Sequence, residues 1–205
     1  GELAREVVGV FTSRFFDTKS QTLAEFFTED LARAPGDDGR IIEPGHQFEW
    51  AWILNSCRKH FGMNLASQIR ALASFAETHG VDPASKITFN SVRDDGQPID
   101  RASRTWPNTE RIKAAIALHE LDGVDPSAAI ASSAALLFDR YLGRTLPGTW
   151  IDLVDSDGKP VPGKTAISMA STRVRMIIFM ARTNRSLLLM IQSSFVVVCR
   201  SITVA

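Results

Sequence analysis

Apolar residues recur along this chain in blocks of helical length, separated by short extended runs that end at Asp-Gly. "ELAREVVGVFTSRFF" opens the sequence as a helix. Residues 45–60 and 63–79 form one pair of helical segments, and 107–121 with 126–142 form a second. In the last of these, Ile130, Ala134, Leu137 and Tyr141 recur every three or four positions and mark one apolar face. Segment 48–54, "FEWAWIL", is apolar nearly all round, as a helix packed on several sides should be. Pro107 suits a first helical turn, where a missing N–H does no harm. Asp125, just before Pro126, suits a helix cap.

Between the helices lie "TLAEFFTEDLARAPGDDGRII", "ITFNSVRDDGQPI" and "WIDLVDSDGKPV", whose glycines Gly39, Gly96 and Gly158 stand roughly 60 residues apart. Asp-Gly favours the turns that join two strands, because glycine accepts positive φ. A helix pair plus a short hairpin, repeated, predicts an all-α architecture with short β-hairpins, whose units stack side by side and curve. The visible units amount to about half of such a ring. The chain begins with Gly1 and is at once helical, so the expectation is of a sequence that enters a fold midway.

Composition narrows the functional classes. The 205 residues suffice for one domain with a sizeable core, and 44% of them are apolar, as in a globular protein. Lys+Arg and Asp+Glu balance at 23 each, which leaves no basic field to recruit nucleic acid or an anionic membrane. Cys57 and Cys199 cannot build a disulfide framework, and a reducing cytoplasm is the expected location. No signal peptide and no uninterrupted apolar stretch long enough to span a bilayer is read.

The candidate chemistry concentrates in "IIEPGHQFEWAW". On a helix beginning near Gly45, His46 and Glu49 are i,i+3 neighbours whose side chains can meet. A carboxylate beside imidazole fixes its tautomer and raises its basicity, which suits proton transfer near neutral pH. A histidine that merely caps a helix end is the default for an arbitrary His-x-x-Glu. Here Glu43, His46 and Glu49 gather beside Trp50 and Trp52, which brings the functional reading level with it. In "RTWPNTER", Trp106 can offer an aromatic face to a sugar ring, and Glu110 either lines a pocket or complements the helix dipole. "LPGTWIDLVDSDG" places Trp150 and Asp152 at a hairpin start, where a packed tryptophan and a turn acid are the plainer reading. His60, His79 and His119 fall near helix C-termini and are assigned no chemistry.

"GKPVPGKT", 158–165, matches the phosphate-loop pattern between a strand-like and a helical stretch. That loop works through consecutive backbone N–H groups, and Pro160 and Pro162 remove two of them. Nucleotide binding is therefore not expected. Neither cysteine has a partner at metal-ligand spacing, so no metal site is expected.

Taken in order, "RFFD", "GRIIEPGHQFEWAW", "DGQPIDRASRTWPNTERIKA" and "GTWIDLVDSDGKPVPG" resemble the N-acylglucosamine 2-epimerase-type sugar isomerases, in the mannose or mannose-6-phosphate isomerase branch. The resemblance covers the C-terminal half of that family. It implies part of a six-hairpin α/α toroid with a central pocket, a small-molecule sugar substrate, and no metal or organic cofactor. The implied reaction is aldose–ketose isomerisation, or epimerisation at C2, through a cis-enediol. By the same resemblance His46 is the proton-transferring histidine, Glu49 orients it, and Glu43, Trp106, Glu110 and Trp150 line the sugar pocket.

The departures from the family are specific. A second catalytic histidine is expected in a block like A-S-T-x-Y-H, whereas "ASTRVRMII", 170–178, has Val174 and Arg175 there. Arginine stays protonated and cannot shuttle a proton at neutral pH. Asn108 stands where the family usually has glutamine. Residues 1–165 are thus expected to be half of a toroid domain and 166–205 a divergent tail produced by a shifted reading frame, so that this copy is incomplete and inactive. The uncovered apolar faces of a half-ring predict a homo-oligomer or a poorly soluble chain.

Overall fold

The computed structural model describes residues 1–142 and 149–167. Helix α1 (Glu2–Val10) runs on through a π-helical turn, Phe11–Phe15, into a small hairpin of β1 (Phe16–Asp17) and β2 (Thr22–Leu23). After β3 (Ile41–Ile42) come α2 (Pro44–Phe61) and α3 (Ala66–His79). Strands β4 (Ser91–Arg93), β5 (Pro98–Asp100) and β6 (Ser103–Arg104) lead into α4 (Thr105–Asp122) and α5 (Ser127–Leu136), which ends in a π-helical turn, Leu137–Leu142. The described chain closes with β7 (Thr149–Ile151), β8 (Leu153–Val154) and β9 (Thr165–Ile167). The protein is mostly helical with a few short strands. Among the described residues no helix is long and apolar enough to cross a membrane.

The repeat seen in the sequence has a structural counterpart. Helices α2 and α4 are both 18 residues long, both carry a proline in the first turn, and both stop at a left-handed glycine, Gly62 and Gly123. Each is entered from a two-residue strand. Helix α2 packs against both α3 and α4, which explains why "FEWAWIL" has no polar face. Phe48, Ala51 and Leu54 of α2 meet Ile69, Leu72 and Ala76 of α3 in a core that Val8 and Phe11 of the opening helix complete. Each fully buried Phe, Leu or Ile there contributes about 2 kcal/mol.

Short sheets tie the helix pairs together. β3, β4 and β5 form one antiparallel sheet, so the strand before α2 pairs with the hairpin after α3. β6, before α4, pairs in turn with β8, and β7 pairs with β9. Gly96 and Gly158 occupy hairpin turns at φ 88° and 74°, as Asp-Gly predicts. Gly39 departs from that expectation. It lies in a 3-10 turn (Asp38–Arg40), and a Cβ there would sit 1.9 Å from the carbonyl oxygen of Ala34. Close backbone approach, rather than turn geometry, requires that glycine.

The phosphate-loop look-alike is a hairpin. Val154 bridges Pro160, and residues 165–167 are a strand against β7 rather than the helix that a phosphate loop must open. The expected helical stretch is thus a strand over 165–167, and the remainder of it lies outside the described residues. The "ASTRVRMII" block with Val174 and Arg175 lies outside the described residues, as does all of the expected tail beyond β9.

Candidate functional site

The site is built where the N-termini of α2 and α4 meet. Pro44 starts α2 with no N–H to satisfy, and the Glu43 carbonyl accepts from the N–H groups of His46 and Gln47. Gly45 follows because there is no room for more: a Cβ would lie 2.6 and 2.7 Å from Cη2 and Cζ3 of Trp106 and 3.0 Å from Cβ of Pro107. That close approach lays the Trp106 ring against His46, with centroids 4.9 Å apart and planes tilted by 36°.

His46 Nδ1 lies 2.9 Å from Oε2 of Glu25 and 3.6 Å from Oε2 of Glu43. The hydrogen bond to Glu25 raises the imidazole above its ordinary pKa. Burial opposes this, and the charges of Glu25, Glu43 and Glu49 reinforce it. Burial lifts the Glu43 carboxyl above the usual carboxylate range, and the neighbouring charge of Glu25 adds to the effect. His46 and Arg104 pull Glu43 back the other way. The site is thus a partly buried imidazole between carboxylates, with an aromatic wall. Such a group can accept and return a proton near neutral pH.

Glu25 is the residue that local sequence reading missed. It lies 21 positions before His46, beyond the reach of any helical spacing. Gln47 provides the connection. Fully buried, it accepts the Leu23 N–H at 2.9 Å and donates to the Leu23 carbonyl at 2.8 Å, as a neighbouring strand would. The Glu25 N–H then bonds the Ile41 carbonyl at 3.1 Å, so both ends of the segment are pinned beside α2.

The other sequence candidates fall as follows. Glu43 and Trp106 join His46, and Glu49 acts on it through its charge. Trp50 does not frame the site: it stacks on Phe11 in the core, centroids 4.4 Å apart. Because α4 starts at Thr105, Glu110 lies beyond the first turn rather than in it. It is fully buried and ion-paired with Lys113, so the first-turn dipole role is corrected. Trp150 is half-buried on β7, and its neighbour Ile151 ties that strand to α4 by accepting from Thr105 Oγ1 at 2.7 Å. His60 and His119 bond the carbonyls of Ser56 and Val124 near helix ends, and His79 packs under Gly96. Asn108 is fully buried. It accepts the Thr88 N–H and donates to the Arg104 carbonyl and the Ser103 hydroxyl.

Glu25, Glu43 and His46 each present a ligand atom, all within 4.8 Å of one another, which is close enough to hold a cation. What joins His46 to Glu25 here is a direct hydrogen bond.

The chain is 37% identical over 171 residues to "Mannose-6-phosphate isomerase" of Rhizobium meliloti (strain 1021), covering 80% of this chain and 44% of that protein. Among solved structures, cellobiose 2-epimerase from Bacillus thermoamylovorans B4167 superposes with a TM-score of 0.69 at 18% identity, over 81% of this chain and 42% of its own. A D-mannose isomerase superposes at 0.66 and 16% identity, over 80% and 46%. The chain therefore spans less than half the length of these relatives. The profile of the N-acylglucosamine 2-epimerase (GlcNAc 2-epimerase) family matches residues 1–169, and the chain belongs to that family of sugar epimerases and isomerases.

Proposed function

We propose that this chain supplies the proton-transferring half of an aldose–ketose isomerase acting on a mannose-type sugar, within a partial α/α toroid. The observation that carries the reading is the His46 imidazole, held between Glu25 and Glu43 and faced by Trp106. Isomerisation removes a proton from the carbon beside the open-chain carbonyl and returns it to the carbonyl carbon, while the neighbouring hydroxyl gives up its proton and the old carbonyl oxygen gains one, so one imidazole can serve both carbon transfers through a cis-enediol. His46 is the base, and Glu49 strengthens it through its charge. Trp106 and Trp150 offer apolar faces to the sugar ring, while Glu43 lines the pocket; Glu110, wholly buried against Lys113, holds α4 behind it rather than touching the sugar. The reaction as proposed calls on no cofactor. A cytoplasmic location fits small-sugar metabolism.

Swapping residues 1–165 into the matching region of the Rhizobium meliloti relative tests the reading. With mannose in deuterated water, NMR should show fructose carrying solvent deuterium at the carbon that receives the proton. His46→Ala should lower the rate about 10²–10⁴-fold. Turnover indifferent to that substitution would refute the assignment. The 2-epimerase alternative, favoured by the likeness to cellobiose 2-epimerase, predicts glucose instead of fructose. Calorimetric sugar binding without turnover would point to a non-catalytic sugar-binding module.

A further inference from the structure

We infer that Glu25 is the positioning residue of this site: its carboxylate accepts the Nδ1–H of His46 and so fixes the tautomer that leaves Nε2 as the basic nitrogen. The inference rests on the reading of His46 as the proton-transfer group and adds a residue outside the Pro-Gly-His-x-x-Glu segment.

A histidine on the first turn of a helix can rotate about χ1 and χ2, and a free imidazole carries its proton on either nitrogen. Here the 2.9 Å contact to Glu25 occupies Nδ1, and the Trp106 ring at 4.9 Å restricts rotation. Glu25 is itself held from both sides. The amide of Gln47 grips both backbone groups of Leu23, two residues before it, and the Ile41 carbonyl accepts the N–H of Glu25. Because Gln47 follows His46 directly, one helical turn presents both the imidazole and the clamp that brings its partner. A buried glutamine amide with both of its groups bonded is costly to displace. The carboxylate is thereby preorganised, as a residue orienting a base must be.

Every charged group near the ring enters the expected pH behaviour. Glu25 comes from the segment after β2, Glu43 from the cap of α2, Glu49 from α2 itself, and Arg104 from β6 acts through Glu43. Removing only the Glu25 charge leaves the other two carboxylates in place. The His46 midpoint should therefore fall, since burial then opposes only those two charges.

The test is ¹⁵N NMR of the imidazole in the 205-residue chain, comparing wild type with Glu25→Gln and Glu25→Leu. Wild type should show the Nδ1–H tautomer when neutral. Glu25→Gln, whose side-chain carbonyl still accepts that proton, should keep the tautomer but lower the midpoint. Glu25→Leu should lose both. In the swapped enzyme Glu25→Leu should lower kcat about a hundredfold with little change in KM, and Glu25→Gln should recover part of it. An unchanged tautomer and midpoint in Glu25→Leu overturns the inference; if that variant fails to fold, an unchanged midpoint in Glu25→Gln does so alone. The NMR reading needs no turnover, so an inactive enzyme with a tautomer governed by Glu25 refutes the isomerase reading and leaves the positioning role standing.

Discussion

Replacing Gly45 by alanine isolates the contact on which the site is built. The backbone of Gly45 is ordinary helix, so alanine meets no conformational strain there. Helix propensity alone favours the change by up to about 1 kcal/mol. Against this, the new methyl would lie 2.6 and 2.7 Å from two carbons of the Trp106 ring and 3.0 Å from Pro107 Cβ, all well inside van der Waals contact. Overpacking of this kind costs about 1–3 kcal/mol. The two terms give a net loss of about 1–2 kcal/mol, or roughly 3–6 °C in Tm for a chain of this size. Trp106 is half-buried and can swing aside, so the substitution should also move its ring away from His46. Thermal unfolding followed by circular dichroism measures the loss. A double-mutant cycle with Trp106→Leu locates it, because in that background the cost should shrink below about 0.5 kcal/mol. A stabilising Gly45→Ala, or an equal loss in both backgrounds, would show that the approach of α2 to α4 is not set at this contact.

Two further substitutions probe the frame around the site. Asn108→Leu keeps roughly the same volume but strips partners from the Thr88 N–H and the Arg104 carbonyl, and should cost about 2–4 kcal/mol in urea unfolding, whereas a loss below about 1 kcal/mol would mean that those groups find other partners. Glu77→Ala removes the two-pronged partner of Arg111, whose side chain is only 5% exposed; because Glu77 itself is half exposed and Ser132 still accepts from the guanidinium, the loss should be about 2–3 kcal/mol, and a neutral result would show that Arg111 turns out to water.

What could be read from the sequence was whatever a local window contains. Helices α2 and α4 declare themselves through apolar blocks of helical length, a proline in the first turn and a glycine past the end, and each of these signals lies within one helix. The Asp-Gly turns at Gly96 and Gly158 are equally local. His46 and Glu43 could be picked out because they share one helix start. What failed was non-local. Asp38-Gly39 looks like a turn, but its glycine is there for the Ala34 carbonyl. Trp50 sits four residues from His46 yet serves the core, because α2 buries most of its circumference and turns that side toward Phe11. Glu110 was placed in a first turn that begins two residues earlier than Pro107 suggests.

Glu25 is the instructive case. Its partnership with His46 depends on a strand, β2, carried back along α2 and held against that helix by a glutamine side chain rather than by strand pairing. The sequence does hold a trace of this. Gln47 is a polar residue between His46 and Phe48, on a stretch otherwise so apolar that the helix must be buried all round. A buried amide needs partners, and a helix interior offers none, since its own N–H and C=O groups bond each other. Such a residue therefore implies a backbone segment from elsewhere lying against that turn. Read this way, the glutamine beside the histidine announces that some distant segment is delivered to the imidazole. The identity of the delivered residue is then a matter of topology, which only the folded chain supplies.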